Sequence, residues 1–146
     1  MKIKIQKINP EAIIPHYIHK GDAGLDLYSI EDVIVAAGER KLVGTGFKVE
    51  IPMGYEMQVR PKSGLAANYG ITVLNTPGTI DCGYRGEVKV IIFNSSKENY
   101  QVKRGEKIAQ AVIAKVEEAE IEEVEELSET TRGDGGFGST GLKKKK

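Results

Sequence analysis

Apolar and polar residues alternate in short bursts along most of this chain. Ile3 and Ile5 alternate with Lys2, Lys4 and Gln6, which predicts a strand within residues 2–8. Leu25 and Leu27 flank Asp26 in the same period. Further strands are predicted over residues 33–35, over residues 41–51 with Phe47, Val49 and Ile51 on one face, and through Tyr55, Met57 and Val59 beyond the turn at Pro52, Met53 and Gly54. Val88, Val90 and Ile92 share a face, Tyr100 and Val102 precede a turn at Arg104 and Gly105, and residues 107–116 form a long final strand. Short strands at such spacing predict an all-β sandwich or barrel. Two stretches break the pattern. In residues 60–71, Ser63 is a candidate N-cap, Leu65, Ala66 and Ala67 favour helix, and Gly70 is a candidate stop. In residues 116–127, Ile121, Val124 and Leu127 follow helical spacing while Ala119 and Ile121 alternate as in a strand; the pattern leans to helix.

Composition narrows the class. A chain of 146 residues reads as one domain, and such a domain buries roughly 68–70% of its unfolded surface. Its 21 basic and 21 acidic residues cancel, so bulk electrostatics does not point to nucleic acid. The single cysteine, Cys82, excludes an intrachain disulfide and a multi-cysteine zinc site. No apolar run reaches the ~18 residues of a membrane span, and the charged, alternating N-terminus is unlike a signal peptide. A cytoplasmic protein without membrane or nucleic-acid partners is expected.

The densest candidate chemistry lies in residues 75–90, NTPGTIDCGYRGEVKV. Turn formers lead into what reads as a hairpin carrying Asp81, Tyr84, Gly83 and Gly86. Glycines there let a ligand approach the backbone; an ordinary hairpin with a capping Asp is the other reading. Asp26 sits between two leucines, where an unpaired carboxylate is costly, so it caps a turn or faces a cation. The helix start at Lys62, Ser63 and Gly64 suits either a phosphate or a plain capped turn. Gln110, in apolar surroundings, needs hydrogen-bond partners. His16 and His19 lack a third and fourth ligand at suitable spacing and read as surface loop residues. Residues 128–146 form a glycine-rich tail that cannot order itself, yet contain Arg132, Phe137, Gly138, Ser139 and Thr140. That mixture suggests ordering on a phosphate ligand, with Arg132 for charge, Phe137 for stacking, and backbone N–H and hydroxyl groups for oxygens. The four terminal lysines read as a solvated end.

Together these segments resemble the five ordered motifs of the homotrimeric dUTPase family: AGLDLYS at 23–29, RPKSGLA at 60–66, GTIDCGYRGEV at 78–88, RGEKIAQAVI at 104–113 and RGDGGFGSTG at 132–141. The resemblance implies a distorted jelly-roll ("β-clip") protomer over residues 1–127 with one short helix, followed by a flexible tail. It also implies a strand, rather than the helix suggested by pattern, at Ile121 and Val124. Trimers of this family build each active site from three chains: one supplies motifs one, two and four, a second the hairpin, a third the tail.

The implied reaction is dUTP + water → dUMP + pyrophosphate, which limits uracil in DNA and supplies dUMP for thymidylate synthesis. By resemblance, Asp81 orients and deprotonates a water that attacks the α-phosphorus. Asp26 hydrogen-bonds waters of a Mg²⁺ held mainly by the triphosphate. Lys62, Ser63, Gly64 and Gln110 contact phosphates. Asn75 and the backbone around Thr79, Ile80 and Lys89 read uracil, while Tyr84 packs under the deoxyribose. Arg132, Ser139 and Thr140 clamp the γ-phosphate, Gly138 is among the substrate contacts, and Phe137 stacks on the base. Two departures stand out: Gly83, where many members have Asp, and Lys62, where many have Arg and its bidentate fork. The competing readings are a dCTP deaminase of the same fold, which uses a hairpin glutamate in place of Asp81, and a non-catalytic dUTP-binding regulator.

Overall fold

The computed structural model describes residues 1–137 and 139. Ten strands and one helix follow the chain: β1 (Lys4–Lys7), β2 (Leu25–Tyr28), β3 (Val33–Val35), β4 (Arg40–Glu50), β5 (Tyr55–Arg60), α1 (Ser63–Tyr69), β6 (Ile71–Val73), β7 (Gly78–Ile80), β8 (Glu87–Asn94), β9 (Tyr100–Val102) and β10 (Lys107–Lys115). They form antiparallel sheets in the orders β1-β4-β8-β6 and β2-β10-β5-β7, with β3 and β9 as a separate pair. This is an all-β, distorted jelly roll with one short helix.

Alternation in sequence becomes burial in space. Val88, Val90, Ile92 and Asn94 of β8 are buried, while the residues between them are more accessible. They meet Leu27, Phe47, Val59 and Ala109 in a core shared by both large sheets. In the second sheet, Leu27, Met57, Val59, Ile80 and Ala109 face that core. Asp26, Gln110 and Arg60 stand opposite one another in register and fall on the outer face. The pleat therefore puts a row of polar side chains across three adjacent strands without breaking the core.

Three local expectations are corrected. Ser63 is not the N-cap: Lys62 occupies that position without a side-chain cap bond, and Ser63 is the first helical residue. At the other end Gly70 closes the helix, with φ +67°, a left-handed conformation that glycine tolerates. The segment around Asp81 is not a paired hairpin. β7 pairs with β5 in one sheet and β8 with β4 and β6 in the other, so residues 81–86 cross between sheets. Finally, residues 116–127 form neither helix nor strand, and residues 115–134 are all exposed. Seven glutamates among residues 117–126 explain the failure of the helix, because Glu118, Glu122 and Glu126 would repel at i, i+4. A strand there needs a sheet edge to pair with, and among the described residues none pairs with it.

Candidate active site

The crossing between sheets opens a cleft. Asn75, Thr79, Ile80, Asp81, Tyr84 and Lys89 all line it, in a space of about 260 Å³ together with Leu42, Glu87, Val88 and Ile91. Thr79 and Ile80 come from β7, which delivers Asp81 at its exposed end. The backbone then turns sharply, with the Tyr84 N–H donating to the Asp81 carbonyl at 3.1 Å. The Tyr84 hydroxyl donates to the Glu87 carbonyl at 3.1 Å, which lays the ring along the loop. Gly86 makes this possible: a Cβ there would lie 2.1 Å from the Tyr84 hydroxyl oxygen. A carboxylate, an aromatic wall and strand backbone thus share one concave surface, a combination suited to a ligand with both polar and apolar parts.

A second cleft lies on the other half of the outer sheet face. Asp26, Lys62 and Gln110 line it with Gly24, Asp22, His19 and Lys107. Asp26 is buried, and each of its oxygens has a cation. Lys62 Nζ donates to Oδ1, and Lys107 Nζ lies 2.8 Å from Oδ2. Of the two readings of Asp26, a cation partner is therefore the one the fold realises. Burial pushes the Asp26 pKa up, but the hydrogen bonds and charges of Lys107 and Lys62 outweigh it and hold the carboxyl below its ordinary value. The same contact raises the pKa of Lys107. Gln110 Nε2 donates to the Pro61 carbonyl at 3.0 Å, supplying the partner its surroundings demand. Gly24 must be glycine for that rotamer, since a Cβ would stand 2.3 Å from Gln110 Oε1. Ser63 and Gly64 follow Lys62 as exposed residues of the first helical turn, outside the cleft lining.

The tail residues do not join either cleft. Arg132 Nε donates to the Gly135 carbonyl of its own turn at 2.8 Å, and Phe137 is fully exposed. Ser139 N–H donates to the Gly136 carbonyl at 3.0 Å. Gly138 and Thr140 lie outside the described residues. His16 stacks on Tyr28 at 6.0 Å, and among the described residues no group of three or more His, Cys, Asp or Glu side chains is arranged to hold a metal.

Sequence reasoning missed two side chains. Lys107 opens β10, and only the fold brings it to Asp26 across the strand pair; a lone lysine at a strand start carries no such signal. Glu87 lines the first cleft although its alternation with Val88 reads as an ordinary solvent-facing position.

The family model described as dUTPase matches residues 10–141. A deoxyuridine 5'-triphosphate nucleotidohydrolase of Nautilia profundicola is 65% identical over 141 residues, covering 97% of this chain and 99% of that protein. A solved dUTPase of Staphylococcus bacteriophage 80alpha with dUPNHPP superposes with a TM-score of 0.89 at 30% identity, covering 97% of this chain and 99% of the phage chain. A mutant dUTPase from phage phi11 of S. aureus, described with a structural Mg(II) ion, superposes with a TM-score of 0.82 at 26% identity over 88% of this chain and 100% of its own.

Proposed function

The chain belongs to the dUTPase family, and from that premise we propose that it hydrolyses dUTP to dUMP and pyrophosphate by attack of water on the α-phosphate. It is a dUTP diphosphatase, an enzyme that keeps uracil out of DNA and supplies dUMP for thymidylate synthesis. The observation that carries the reading is the composition of the first cleft. The Asp81 carboxylate, the Tyr84 ring and the strand backbone expected to read uracil share a single surface, with Glu87 as a second carboxylate in its lining.

Each chain residue then has a task. Asp81 accepts the proton of the attacking water, help typically worth ~10²–10⁴ in rate. Backbone groups near Thr79, Ile80 and Lys89, with Asn75, pair with uracil and face wrong partners on cytosine, a mismatch worth up to ~10⁴–10⁵ in specificity. Tyr84 fills the space a 2′-hydroxyl would need. Lys62, Ser63, Gly64 and Gln110 receive the phosphates. Residues 128–146 act as a separate tail, in which Arg132, Ser139 and Thr140 clamp the γ-phosphate, Gly138 contacts the substrate and Phe137 covers the base.

The donor set suits Mg²⁺ held chiefly by phosphate oxygens and its own waters. Asp26 shares its cleft with Asp22, but among the described residues no group of three or more His, Cys, Asp or Glu is arranged to hold a metal, so Asp26 fits as an acceptor for metal-bound water where Lys62 or Lys107 gives way, and not as part of a protein cage. When bound, the ion neutralises charge on the triphosphate.

Site sharing within a homotrimer is supported by distance. Asp26 and Asp81 lie on the two outer strands of β2-β10-β5-β7, with Asp26 level with Arg60 and Asp81 next to the Ile80–Met57 pair. Three strand spacings and about four residues separate them, on the order of 20 Å. That separation favours the reading in which the two carboxylates of one chain serve different sites, each completed by a neighbour.

Membership of the family does not favour the deaminase or the silent regulator. Pyrophosphate release measured on dUTP, dCTP, dTTP and UTP should be strong for dUTP alone. Ammonia release from dCTP, or binding of dUTP without turnover, would overturn the proposal.

A further inference from the structure

We propose that Glu87 is a positioning residue, which sets the geometry of the backbone that reads the base. This rests on the dUTP reading of the first cleft and assigns a task to a side chain the catalytic scheme does not use.

The observations converge on an irregularity in β4. Gly44 pairs with Lys89, and Lys48 pairs with Glu87, so β4 spends four steps where β8 spends two. Such a bulge strips ladder partners from the residues inside it. Side chains replace them. The Gly46 N–H donates to Glu87 Oε1 at 2.9 Å, and the Thr45 hydroxyl donates to the Val88 carbonyl at 2.6 Å. Glu87 Oε2 lies 3.4 Å from Lys89 Nζ, and the Glu87 main-chain carbonyl holds the Tyr84 hydroxyl. The side chain is only 20% exposed. Gly44 is shaped to admit it, for a Cβ at that position would lie 2.7 Å from Glu87 Oε1.

Val88 and Lys89 line the base cleft, and the bulge opposite determines how their backbone is presented. With the carboxylate gone, the buried Gly46 N–H loses its partner, and the bulge relaxes toward one that supplies it. The strand edge offered to uracil then moves. Tyr84 bonds to the Glu87 main-chain carbonyl, so a shift of this backbone reaches Tyr84 as well, one hydrogen bond further on. Glu87 therefore acts first on base recognition, through Val88 and Lys89, and less strongly on the Tyr84 wall.

The test compares Glu87→Ala, Glu87→Gln and Gly44→Ala with the parent, using kcat and KM for dUTP, the kcat/KM ratios of dUTP over dCTP and dUTP over UTP, and calorimetric affinity for dUMP. Glu87→Ala should raise KM and weaken dUMP binding by about tenfold with kcat little changed, the mark of lost binding shared by ground and transition states. The dUTP-over-dCTP ratio should fall, and by more than the dUTP-over-UTP ratio. Glu87→Gln keeps an oxygen for the Gly46 N–H and should stay near the parent. Gly44→Ala should follow Glu87→Ala, because its methyl displaces the carboxylate without altering it. A folded Glu87→Ala protein with parental KM and base selectivity overturns the proposal. If Glu87→Ala does not fold, unchanged selectivity in Gly44→Ala overturns it, and so does failure of both to fold, which makes the contact purely structural. A parent that does not turn over dUTP refutes the activity instead.

Discussion

Asp26→Asn is the perturbation whose consequences follow most directly from the structure. Asparagine keeps the shape of a side chain that is 7% exposed as a residue, but removes the charge shared by Lys62 and Lys107. Each hydrogen bond to a charged partner is worth about 1.5–3 kcal/mol. Against that stand the desolvation of the buried carboxylate and the freedom of both lysines, 27% and 43% exposed at the side chain, to turn toward water. The net loss attributable to Asp26 is about 2 kcal/mol at neutral pH. For a chain of this size that lowers Tm by roughly 4–8 °C. The sign of the pH dependence is fixed. The folded pKa of Asp26 lies below its unfolded value, so its contribution is fully present above the unfolded pKa, near 3.8, and is lost as pH falls through the folded pKa. The folded pKa of Lys107 is raised, so its contribution is present below its unfolded value of 10.5 and is lost as pH rises through the folded one. The Tm gap between parent and Asp26→Asn should therefore be widest between about pH 5 and 9 and shrink below about pH 4. Thermal unfolding of both proteins from about pH 3 to 8 reads it, and half-maximal turnover should need more Mg²⁺ in the variant. Equal Tm values at neutral pH, or a gap that persists undiminished in acid, would refute the account of the lysine clamp.

Three further outcomes are expected. Asp81→Asn should bind a non-hydrolysable dUTP analogue with near-parental affinity by calorimetry while kcat falls ~10²–10⁴-fold, since the amide cannot take the proton; parental kcat removes Asp81 as the base. Tyr84→Ala should lower the kcat/KM ratio of dUTP over UTP, because the wall against a 2′-hydroxyl is gone, and an unchanged ratio means that Tyr84 does not read the sugar. Deleting everything after Thr130 should leave an assembled protein with severely reduced turnover. Co-refolding it with Asp81→Asn protein should restore activity, as some sites combine an intact Asp81 with an intact tail; verified mixed trimers as inactive as their parents would exclude the three-chain site.

Much of the fold was legible because period-two alternation is a local property of a strand with one buried face. Val88, Val90 and Ile92, or Tyr55, Met57 and Val59, announce their inner face without reference to any partner. Turn glycines are equally local, and Gly70 ends α1 where its left-handed φ is needed. The five motifs, and with them Asp26, Lys62, Asp81, Tyr84 and Gln110 as candidate site residues, were readable from residue type and order. What tertiary structure alone decided concerns partners distant in sequence. No periodicity reveals that β7 and β8 enter different sheets, because pairing depends on long-range register. Lys107 reaches Asp26, and Glu87 reaches Gly46, across strands whose mutual offset is determined by the whole sheet and its bulge. Residues 116–127 show the limit most plainly. Their apolar spacing admits helix and strand alike, glutamate repulsion disfavours the first, and the second needs a pairing edge that a chain's own sequence cannot place beside it.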